Sequence, residues 1–334
     1  MKLLVTGGAG FIGSNFIRYI LDKNDSDISI LNLDDLKYGS NPANLSDLEK
    51  DRRYSFFKGD ITDFSLVSEL IRDADSIVNF AAETHVDRSI SAPEAFLQSN
   101  VIGVFTILEA LRKVNPSARM VHISTDEVYG DILEGSFKES DALRPSSPYS
   151  ASKAASDVFV LGYARTYGLN ASITRCTNNY GPYQFPEKLI PKTIIRAYLG
   201  LKIPIYGTGK NIRDWIHVED HCRAVETVLL SGKPGEIYNI SSGSEKNNLE
   251  IVRFILQSLG KDDSSLEFVE DRPGHDQRYS LDSSRLRREM GWIPRHSFEQ
   301  GIVDVVRWYT NNEGWWRALA DEKTLSATPW KLAW

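Results

Sequence analysis

The stretch Gly7-Gly8-Ala9-Gly10-Phe11-Ile12-Gly13 decides the fold of this 334-residue chain. A short apolar run at residues 2–5 precedes it and an amphipathic stretch at residues 12–21 follows it, so we predict a strand, a tight turn and a helix. Glycines at this spacing let the backbone approach a pyrophosphate at the positively polarised N-terminus of the helix. A tight turn that binds no ligand is the alternative that the glycines alone leave open.

Short apolar runs alternate with helical patterns through the first half of the chain. We predict further strands at residues 28–33, 54–58, 76–81 and 120–124, and a helix at residues 101–114. Continuous apolar strands that alternate with helices are typical of a parallel sheet covered on both faces. The predicted fold class is therefore α/β, with a Rossmann-type doubly wound parallel sheet.

The sequence changes character near residue 176. Pro182, Pro186, Pro191 and Pro204 fall in a loop-rich stretch, and an apolar run at residues 237–240 then predicts another strand. We predict two domains from this change. The first is a nucleotide-binding Rossmann domain at residues 1–175, with a returning segment at about 213–242. The second is a smaller mixed α/β substrate-binding domain at residues 176–212 and 243–334.

The composition narrows the function classes. With 41% hydrophobic and 25% charged residues the chain is typical of a globular protein, and its net charge of −6 argues against nucleic acid as a partner. Cys176 and Cys222 are too few for a disulfide framework, and no metal-ligand spacing accompanies them. No apolar run approaches the length of a membrane span or a signal-peptide core. We therefore expect a cytoplasmic protein with no metal and no membrane partner.

Two aspartates extend the predicted dinucleotide site. Asp34 ends the second predicted strand, 21 residues after Gly13, close to the ~20 expected for a carboxylate that binds the adenosine ribose. The same carboxylate would repel a 2′-phosphate, which favours NAD over NADP. Asp60 follows the strand at residues 54–58, where it could accept a hydrogen bond from an adenine amino group. A solvated loop residue is an equal alternative for Asp60.

Tyr149 and Lys153 are four residues apart, directly after Pro148, which favours a helix start. The two side chains should then lie on one face of the helix. An ammonium beside a phenol lowers the pKa of the phenol toward the range useful to a general base. Such a pair also occurs by chance on surface helices, and the preceding dinucleotide motif is what favours the catalytic interpretation.

These motifs together resemble the extended short-chain dehydrogenase/reductases that act on nucleotide sugars. The resemblance runs from the glycine turn and Tyr149-xxx-Lys153 to about Trp292. Within that family, the segment at residues 122–130 resembles the 4,6-dehydratase branch, because Asp126 and Glu127 stand where epimerases have small or neutral residues. A solvated Asp-Glu turn is the alternative for the pair, and its place at the carboxyl end of a strand favours the site.

The resemblance implies a hydro-lyase reaction that converts dTDP-glucose into dTDP-4-keto-6-deoxyglucose. C4 of the hexose is oxidised, Glu127 removes the C5 proton and Asp126 protonates the departing C6 hydroxyl. Thr125 is expected to bind the C4 oxygen and pass its proton to Tyr149, and a hydride return to C6 regenerates NAD. A UDP-glucose 4,6-dehydratase, a UDP-sugar 4-epimerase and a non-catalytic dinucleotide sensor remain as alternatives.

The motifs and the resemblance together give a set of cofactor-binding residues. The expected NAD contacts are Gly7, Gly10, Phe11, Ile12, Gly13, Asp34, Leu36, Lys37, Asp60, Ile61, Ala81, Ala82, Glu83, Asn100, Tyr149, Lys153 and Asn179. For Asn100, capping of a helix is an equal alternative.

The resemblance also implies the residues that contact the nucleotide sugar. These are His85, Thr125, Asn178, Glu187, Lys188, Leu189, Pro204, Ile205, Tyr206, Arg213, Asn248, Arg272, His275 and Tyr279. In the family, the segment at residues 204–206 holds the nucleobase and the two arginines neutralise the diphosphate, which a guanidinium can bind with two parallel hydrogen bonds. A structural role for His85 and a solvated surface position for each arginine are the alternatives.

Two further features concern assembly. The helices at about residues 101–114 and 150–167 carry more apolar and small residues than one covered face needs. In the family these helices pair across a two-fold axis, so we expect a homodimer. Five tryptophans crowd the C-terminus and are interpreted as packing or interface residues. They are Trp308, Trp315, Trp316, Trp330 and Trp334.

Overall fold

The computed structural model describes residues 1–23 and 26–332. Trp334 therefore lies outside the described residues. The strands are β1 (Lys2–Thr6), β2 (Ser29–Asp34), β3 (Tyr54–Lys58), β4 (Ser76–Asn79), β5 (Arg119–Thr125), β6 (Ala171–Cys176), β7 (Asn178–Tyr180), β8 (Ile203–Tyr206), β9 (Ile212–His217), β10 (Ile237–Ile240), β11 (Glu245–Asn247) and β12 (Leu266–Val269).

Helices follow most of these strands. They are α1 (Phe11–Leu21), α2 (Phe64–Arg72), α3 (Val86–Ser91), α4 (Pro93–Phe96), α5 (Gly103–Val114), α6 (Pro148–Tyr167), α7 (Leu189–Tyr198), α8 (Val218–Ser231), α9 (Asn248–Ser258), α10 (Ser284–Met290), α11 (Phe298–Asn311) and α12 (Glu313–Arg317). Short 3-10 turns lie at Pro42–Leu48, Asp126–Val128, Asp263–Ser265 and Pro329–Lys331, and a π-helical segment at Leu97–Ile102 leads into α5.

Seven strands form the main sheet, in the order β10-β6-β5-β4-β1-β2-β3, and every neighbouring pair is parallel. The chain therefore winds outward in both directions from β1 and β4. In such sheets ligands bind beyond the carboxyl ends of the strands at the point where the winding direction changes. The predicted α/β fold with a doubly wound parallel sheet is confirmed, and the predicted strands agree with the observed ones to within two residues at each end.

Two smaller sheets lie outside the parallel one. β11, β9 and β7 form a three-stranded mixed sheet, and β12 pairs with β8. The elements α7, α9 and α11 pack around these sheets with a separate apolar core. Leu286 and Trp292, from the C-terminal half, instead join the core beneath the parallel sheet. The division into two domains with the boundaries given above stays a prediction.

One helical stretch, Pro93–Val114, is long and apolar enough to cross a membrane by length and composition alone. Of its most apolar window, 56% is buried inside the protein. α5, which forms the second half of this stretch, packs against α2 and α6. A core helix of a soluble protein passes the same test, and Val104, Ile107, Leu108, Ala110 and Leu111 of α5 are buried in this packing.

Candidate active site

The glycine turn after β1 brings two segments of backbone together. Gly7 has φ of +70°, and a Cβ there would lie 2.6 Å from the backbone nitrogen of Ala81 at the end of β4. A Cβ on Gly13 would lie 2.4 Å from the carbonyl oxygen of Gly7. The N-cap residue of α1 is Gly10, which has no side chain to cap the helix, so the first amide groups remain available to an anion. The predicted strand, turn and helix are confirmed.

Asp34 holds the loop beside this turn. Its carboxylate accepts hydrogen bonds from the backbone amides of Ala9 at 2.9 Å and Leu36 at 2.8 Å. Burial raises the pKa of Asp34 against these two stabilising bonds. Lys37 follows in the loop, and its Nζ lies 2.5 Å from Asp60 Oδ2. These contacts hold Asp34 at the end of β2 and Asp60 just after β3. Both carboxylates lie at the carboxyl edge of the sheet, beside the glycine turn.

A large cavity extends from the glycine turn along the carboxyl ends of the strands. The expected cofactor residues that line it are Gly7, Gly10, Phe11, Ile12, Gly13, Asp34, Lys37, Asp60, Ile61, Ala81, Ala82, Glu83, Tyr149, Lys153 and Asn179. Leu36 and Asn100 do not line it. Leu36 contributes its amide to Asp34, and the Asn100 side chain bridges both backbone groups of Glu83 to Ser152. NAD contacts by these two residues stay a prediction.

Thr125, Tyr149 and Lys153 meet at the inner end of this cavity. Ser147 and Ser150 form a capping box that starts α6, with Pro148 in its first turn, as the sequence predicts. Tyr149 and Lys153 are both buried, and the Tyr149 hydroxyl is hydrogen-bonded to the Thr125 side chain. Lys153 Nζ donates to the carbonyl oxygen of Ile123 at 2.6 Å. The three side chains therefore converge from β5 and α6.

The expectation that Lys153 lowers the pKa of Tyr149 is wrong for this arrangement. Burial, followed by the negative charge of Glu127, raises the pKa of Tyr149, and the hydrogen bond with Thr125 opposes the rise only in part. Burial also lowers the pKa of Lys153 to about 8. The cause is local: the Lys153 ammonium is directed to the Ile123 carbonyl at the end of β5, and the phenol lies beside two carboxyl groups.

Asp126 and Glu127 follow Thr125 in a short 3-10 turn, and their environments differ. Asp126 is buried, accepts a hydrogen bond from Thr125 Oγ1 at 3.1 Å, and has a second oxygen without a hydrogen-bond partner among the described residues. Burial and then repulsion by Glu127 raise the pKa of Asp126 to about 8. Burial raises the pKa of Glu127 as well, but Arg272, Arg213 and Lys188 oppose that rise. The pair therefore favours a protonated Asp126 beside an ionised Glu127.

A second cavity adjoins the first. Four residues line both cavities, namely His85, Glu127, Asn178 and Lys188. The other expected substrate residues that line the second cavity are Glu187, Leu189, Pro204, Ile205, Tyr206, Arg213, Asn248, Arg272, His275 and Tyr279. Thr125 lines the first cavity, beside the acid pair. Every residue that the resemblance assigned to the sugar nucleotide thus faces one of two connected spaces.

Three cationic side chains line the second cavity near Glu127. Arg213 lies over the ring of Tyr279 at 4.1 Å and donates to the carbonyl oxygen of Asp276 at 2.9 Å. Arg272 is ion-paired with Asp87 at 2.9 Å, and Lys188 donates to the carbonyl oxygen of Thr84. These three cations lie close enough to Glu127 to oppose the rise of its pKa. A doubly charged diphosphate is the ligand chemistry that such a cluster suits.

The sequence analysis did not identify several residues of the site. Tyr38 and Phe185 each meet the buried ring of His85 edge-on and contact one another at a tilt, and the Tyr38 hydroxyl donates to the Glu187 carboxylate. Both ring nitrogens of His85 lack a hydrogen-bond partner among the described residues. Asp87, Lys192, Thr193 and Trp215 line the second cavity. The signal for Tyr38 was its position four residues after Asp34, but its contact with Glu187 depends on the tertiary fold.

Comparisons with known proteins agree with this geometry. The profile of the family described as GDP-mannose 4,6 dehydratase matches residues 4–305. The chain is 47% identical over 332 residues to a dTDP-glucose 4,6-dehydratase of Streptomyces niveus, covering 98% of both chains. Among solved structures it is similar to the dTDP-glucose 4,6-dehydratase DesIV of Streptomyces venezuelae with NAD and TYD bound, at 50% identity and a TM-score of 0.94, covering 96% of this chain and 100% of that one.

A UDP-glucose 4-epimerase of Thermotoga maritima, solved with UDP-glucose, is more distant. It is 26% identical with a TM-score of 0.86, and the match covers 94% of this chain and 100% of that one. The fold is thus common to dehydratases and epimerases.

Proposed function

The chain belongs to the GDP-mannose 4,6 dehydratase family, and from this we propose that it is an NAD-dependent hydro-lyase that converts dTDP-glucose into dTDP-4-keto-6-deoxyglucose. Relatives and solved structures named for this activity match almost the whole chain. The two connected cavities supply a place for a dinucleotide and for a nucleotide sugar. The acid pair lies where these two spaces meet.

The polar groups that line the first cavity match the polar groups of NAD. The uncapped N-terminus of α1 and the glycine turn suit the pyrophosphate, and Asp34 at the end of β2 suits the adenosine ribose. Tyr149 and Lys153 line the opposite end, where the nicotinamide half would lie. NAD supplies a hydride acceptor for C4 of the sugar and the hydride donor for C6.

Proton transfers fall to the side chains of β5 and α6. Thr125 and Tyr149 are joined by a hydrogen bond. Tyr149, as the phenolate that the positive charge of bound NAD would favour, takes the C4 hydroxyl proton through Thr125 as that carbon is oxidised. The resulting ketone acidifies C5, and ionised Glu127 removes the C5 proton, which it gives back to C5 when hydride returns to C6. Asp126, protonated at neutral pH, donates its proton to the C6 hydroxyl, which leaves as water. Lys153 links α6 to β5 through its hydrogen bond to the Ile123 carbonyl oxygen.

The observation that carries this proposal is the adjacent pair Asp126 and Glu127, whose carboxyl groups have different neighbours. An elimination needs one base and one acid at the same time, and burial with repulsion raises the pKa of Asp126 to about 8 while three cations hold Glu127 nearer its ionised form. A 4-epimerase has no leaving group to protonate at C6. The acid pair therefore favours the dehydratase over the epimerase.

Incubation of the purified protein with dTDP-glucose and, separately, with UDP-glucose tests the proposal. The alkali-induced absorbance of a 4-keto-6-deoxy sugar should appear with dTDP-glucose and be much weaker with UDP-glucose. Chromatography of the UDP-glucose reaction reports on epimerisation to UDP-galactose. Equal or faster dehydration of UDP-glucose would overturn the thymine preference, and formation of the epimer alone would overturn the dehydratase.

We also propose that the protein is a cytoplasmic homodimer that uses α5 and α6 as its interface. Phe105, Val158, Phe159 and Tyr167 are all exposed on these two helices, with 59% of Val158 accessible. They line or flank a shallow apolar groove that also includes Ala155 and Gly162. Light scattering should show a dimer at micromolar concentration, and Val158→Arg should convert it to a monomer. A monomeric parent protein would contradict the proposal.

A further inference from the structure

The C-terminal segment, residues 324–331, returns from α12 to both cavities. Trp330 is buried, and its ring meets the ring of Tyr206 edge-on with centroids 4.8 Å apart. Tyr206 lines the second cavity at the end of β8, in the stretch expected to hold the nucleobase. A residue outside the cavity thus fixes the orientation of a ring inside it.

The same segment supports other walls of the second cavity. The carbonyl oxygen of Ser326 accepts a hydrogen bond from Lys192 Nζ at 3.1 Å, and that of Leu325 accepts one from Arg196. Lys192 lines the cavity, and Arg196 lies one helical turn further along α7. The 3-10 turn at Pro329–Lys331 packs against α3, which carries the Asp87 partner of Arg272.

Contacts at both ends of the segment reach the remaining walls. The Thr324 side chain is hydrogen-bonded to Tyr38, whose hydroxyl donates to Glu187 between the two cavities. Lys331 is ion-paired with Glu270, in the loop that leads to Arg272. These eight residues therefore contact Tyr206, α7, α3 and Tyr38. Each of these lines a cavity or carries a residue that lines one.

We propose that residues 324–331 support the walls of the nucleotide-sugar site from outside, and that Trp330 sets the affinity of the site for the nucleotide by holding Tyr206 in place. This inference rests on the proposed function, since it takes the second cavity to be the sugar-nucleotide site. Trp330 is a positioning residue: it acts through Tyr206 and has no part in proton or hydride transfer. Its removal should weaken nucleotide binding and leave the chemical steps unchanged.

The decisive variant is Trp330→Ala. We expect KM for dTDP-glucose and Kd for dTDP, the latter measured by calorimetry, to rise about tenfold, because an edge-on aromatic contact and its buried area are both lost. The value of kcat should stay within about twofold, and the Kd for NAD should not change. Trp330→Phe keeps a ring against Tyr206 and should restore most of the affinity. If the alanine variant does not fold, Trp330→Leu, which keeps apolar bulk but has no ring, carries the same expectation.

Trp308→Ala is the matched control. Trp308 belongs to the same aromatic region, where it contacts Tyr183 and Trp315, and it lines neither cavity. Its loss should lower the melting temperature without separating KM from kcat. If dTDP binds Trp330→Ala as tightly as the parent, or if Trp308→Ala gives the same rise in KM, the inference is overturned while the proposed function stands. If the parent protein neither binds dTDP nor converts dTDP-glucose, the proposed function fails and the inference with it.

Discussion

The two cavities are built in opposite ways. The cofactor-side cavity is formed by the ends of β1, β2, β3, β4 and β5, which the parallel register brings to one edge, and much of its wall is backbone at glycine and alanine. The substrate-side cavity is formed by side chains from eight separate parts of the chain, among them residues 85–87, 187–193 and 203–206. Most of its charge comes from loops and the first turn of α7.

This difference separates geometry that is local from geometry that depends on the whole chain. A glycine turn between a strand and a helix forms its anion site within ten residues. A substitution in this turn should therefore cause a large loss of cofactor affinity without affecting the rest of the molecule. The substrate-side cavity depends on contacts such as Arg272 with Asp87, 185 residues apart in sequence, and on the C-terminal segment. Changes there should be graded and should appear first in KM.

The largest effect is expected at the junction of the two cavities. Tyr149→Phe removes the hydroxyl that shares a hydrogen bond with Thr125, so the C4 oxidation and every later step should slow together. Loss of one general acid or base typically costs ~10²-fold to 10⁴-fold. NADH formation and product formation, followed in parallel on mixing with dTDP-glucose, should both fall by this factor.

Tyr19→Phe is the control for that variant. Its hydroxyl also donates to a carboxylate, Glu226, but the residue lies outside both cavities. Its activity should match that of the parent. Product formation at the parent rate by Tyr149→Phe would remove the tyrosine from the oxidation step.

A smaller effect is expected on the cofactor side. Gly7→Ala places a Cβ 2.6 Å from the backbone of Ala81 at a φ of +70°, a conformation that costs an L side chain roughly 1–3 kcal/mol. Affinity for NAD, measured by calorimetry, should therefore fall by roughly tenfold or more, with the affinity for dTDP little changed.

Gly314→Ala is the matched control, because a Cβ at this helical glycine meets no atom within 4 Å. That change should leave NAD binding intact and be neutral or slightly stabilising. Equal losses of NAD affinity in the two variants would contradict the role assigned to the Gly7 turn.

The third effect is a dependence on pH, which is small near neutrality and grows above pH 8. Asp126 must be protonated to act as the acid, and burial raises its pKa to about 8, so dehydration should fall tenfold for each pH unit above about 8. Glu127 must be ionised to act as the base, and burial raises its pKa. As the pH is lowered, the dehydration rate should therefore start to fall at a higher pH than an ordinary glutamate would cause. Lys153 also loses its proton near pH 8, which could slow the oxidation step. NADH formation is therefore measured separately from dehydration.

Above pH 8 bound NADH should then persist while product formation declines. A dehydration rate that is flat from pH 7 to pH 10 would contradict a protonated Asp126 as the acid.

The local geometry could be predicted from the sequence and much of the rest could not. Spacing alone placed the turn at Gly7, the carboxylate at Asp34 and the start of α6 at Pro148. Spacing did not predict that Lys153 donates to the Ile123 carbonyl, or that burial and then the charge of Glu127 raise the pKa of Tyr149. The direction of a flexible ammonium depends on which buried acceptor is near, and here that acceptor is 30 residues away.

The substrate side shows the same limit more strongly. Resemblance to a family identified residues such as Arg213 and Tyr206, since no local pattern distinguishes a cavity arginine from a surface one. Tyr38, Lys192 and Trp330 were missed because their roles depend on contacts across more than a hundred residues. The C-terminal tryptophans were interpreted only as packing or interface residues, and for Trp330 the packing partner lines the substrate-side cavity.

The central claim is that oxidation and elimination are carried by different side chains at one site. Stopped-flow mixing of Asp126→Asn, Glu127→Gln with dTDP-glucose tests it directly, with absorbance at the reduced nicotinamide band and product formation recorded together. Tyr149, Thr125 and Lys153 are intact in this variant, so bound NADH should accumulate to near one per site while dehydration falls by at least ~10²-fold. Dehydration at the parent rate by the double variant would contradict the claim.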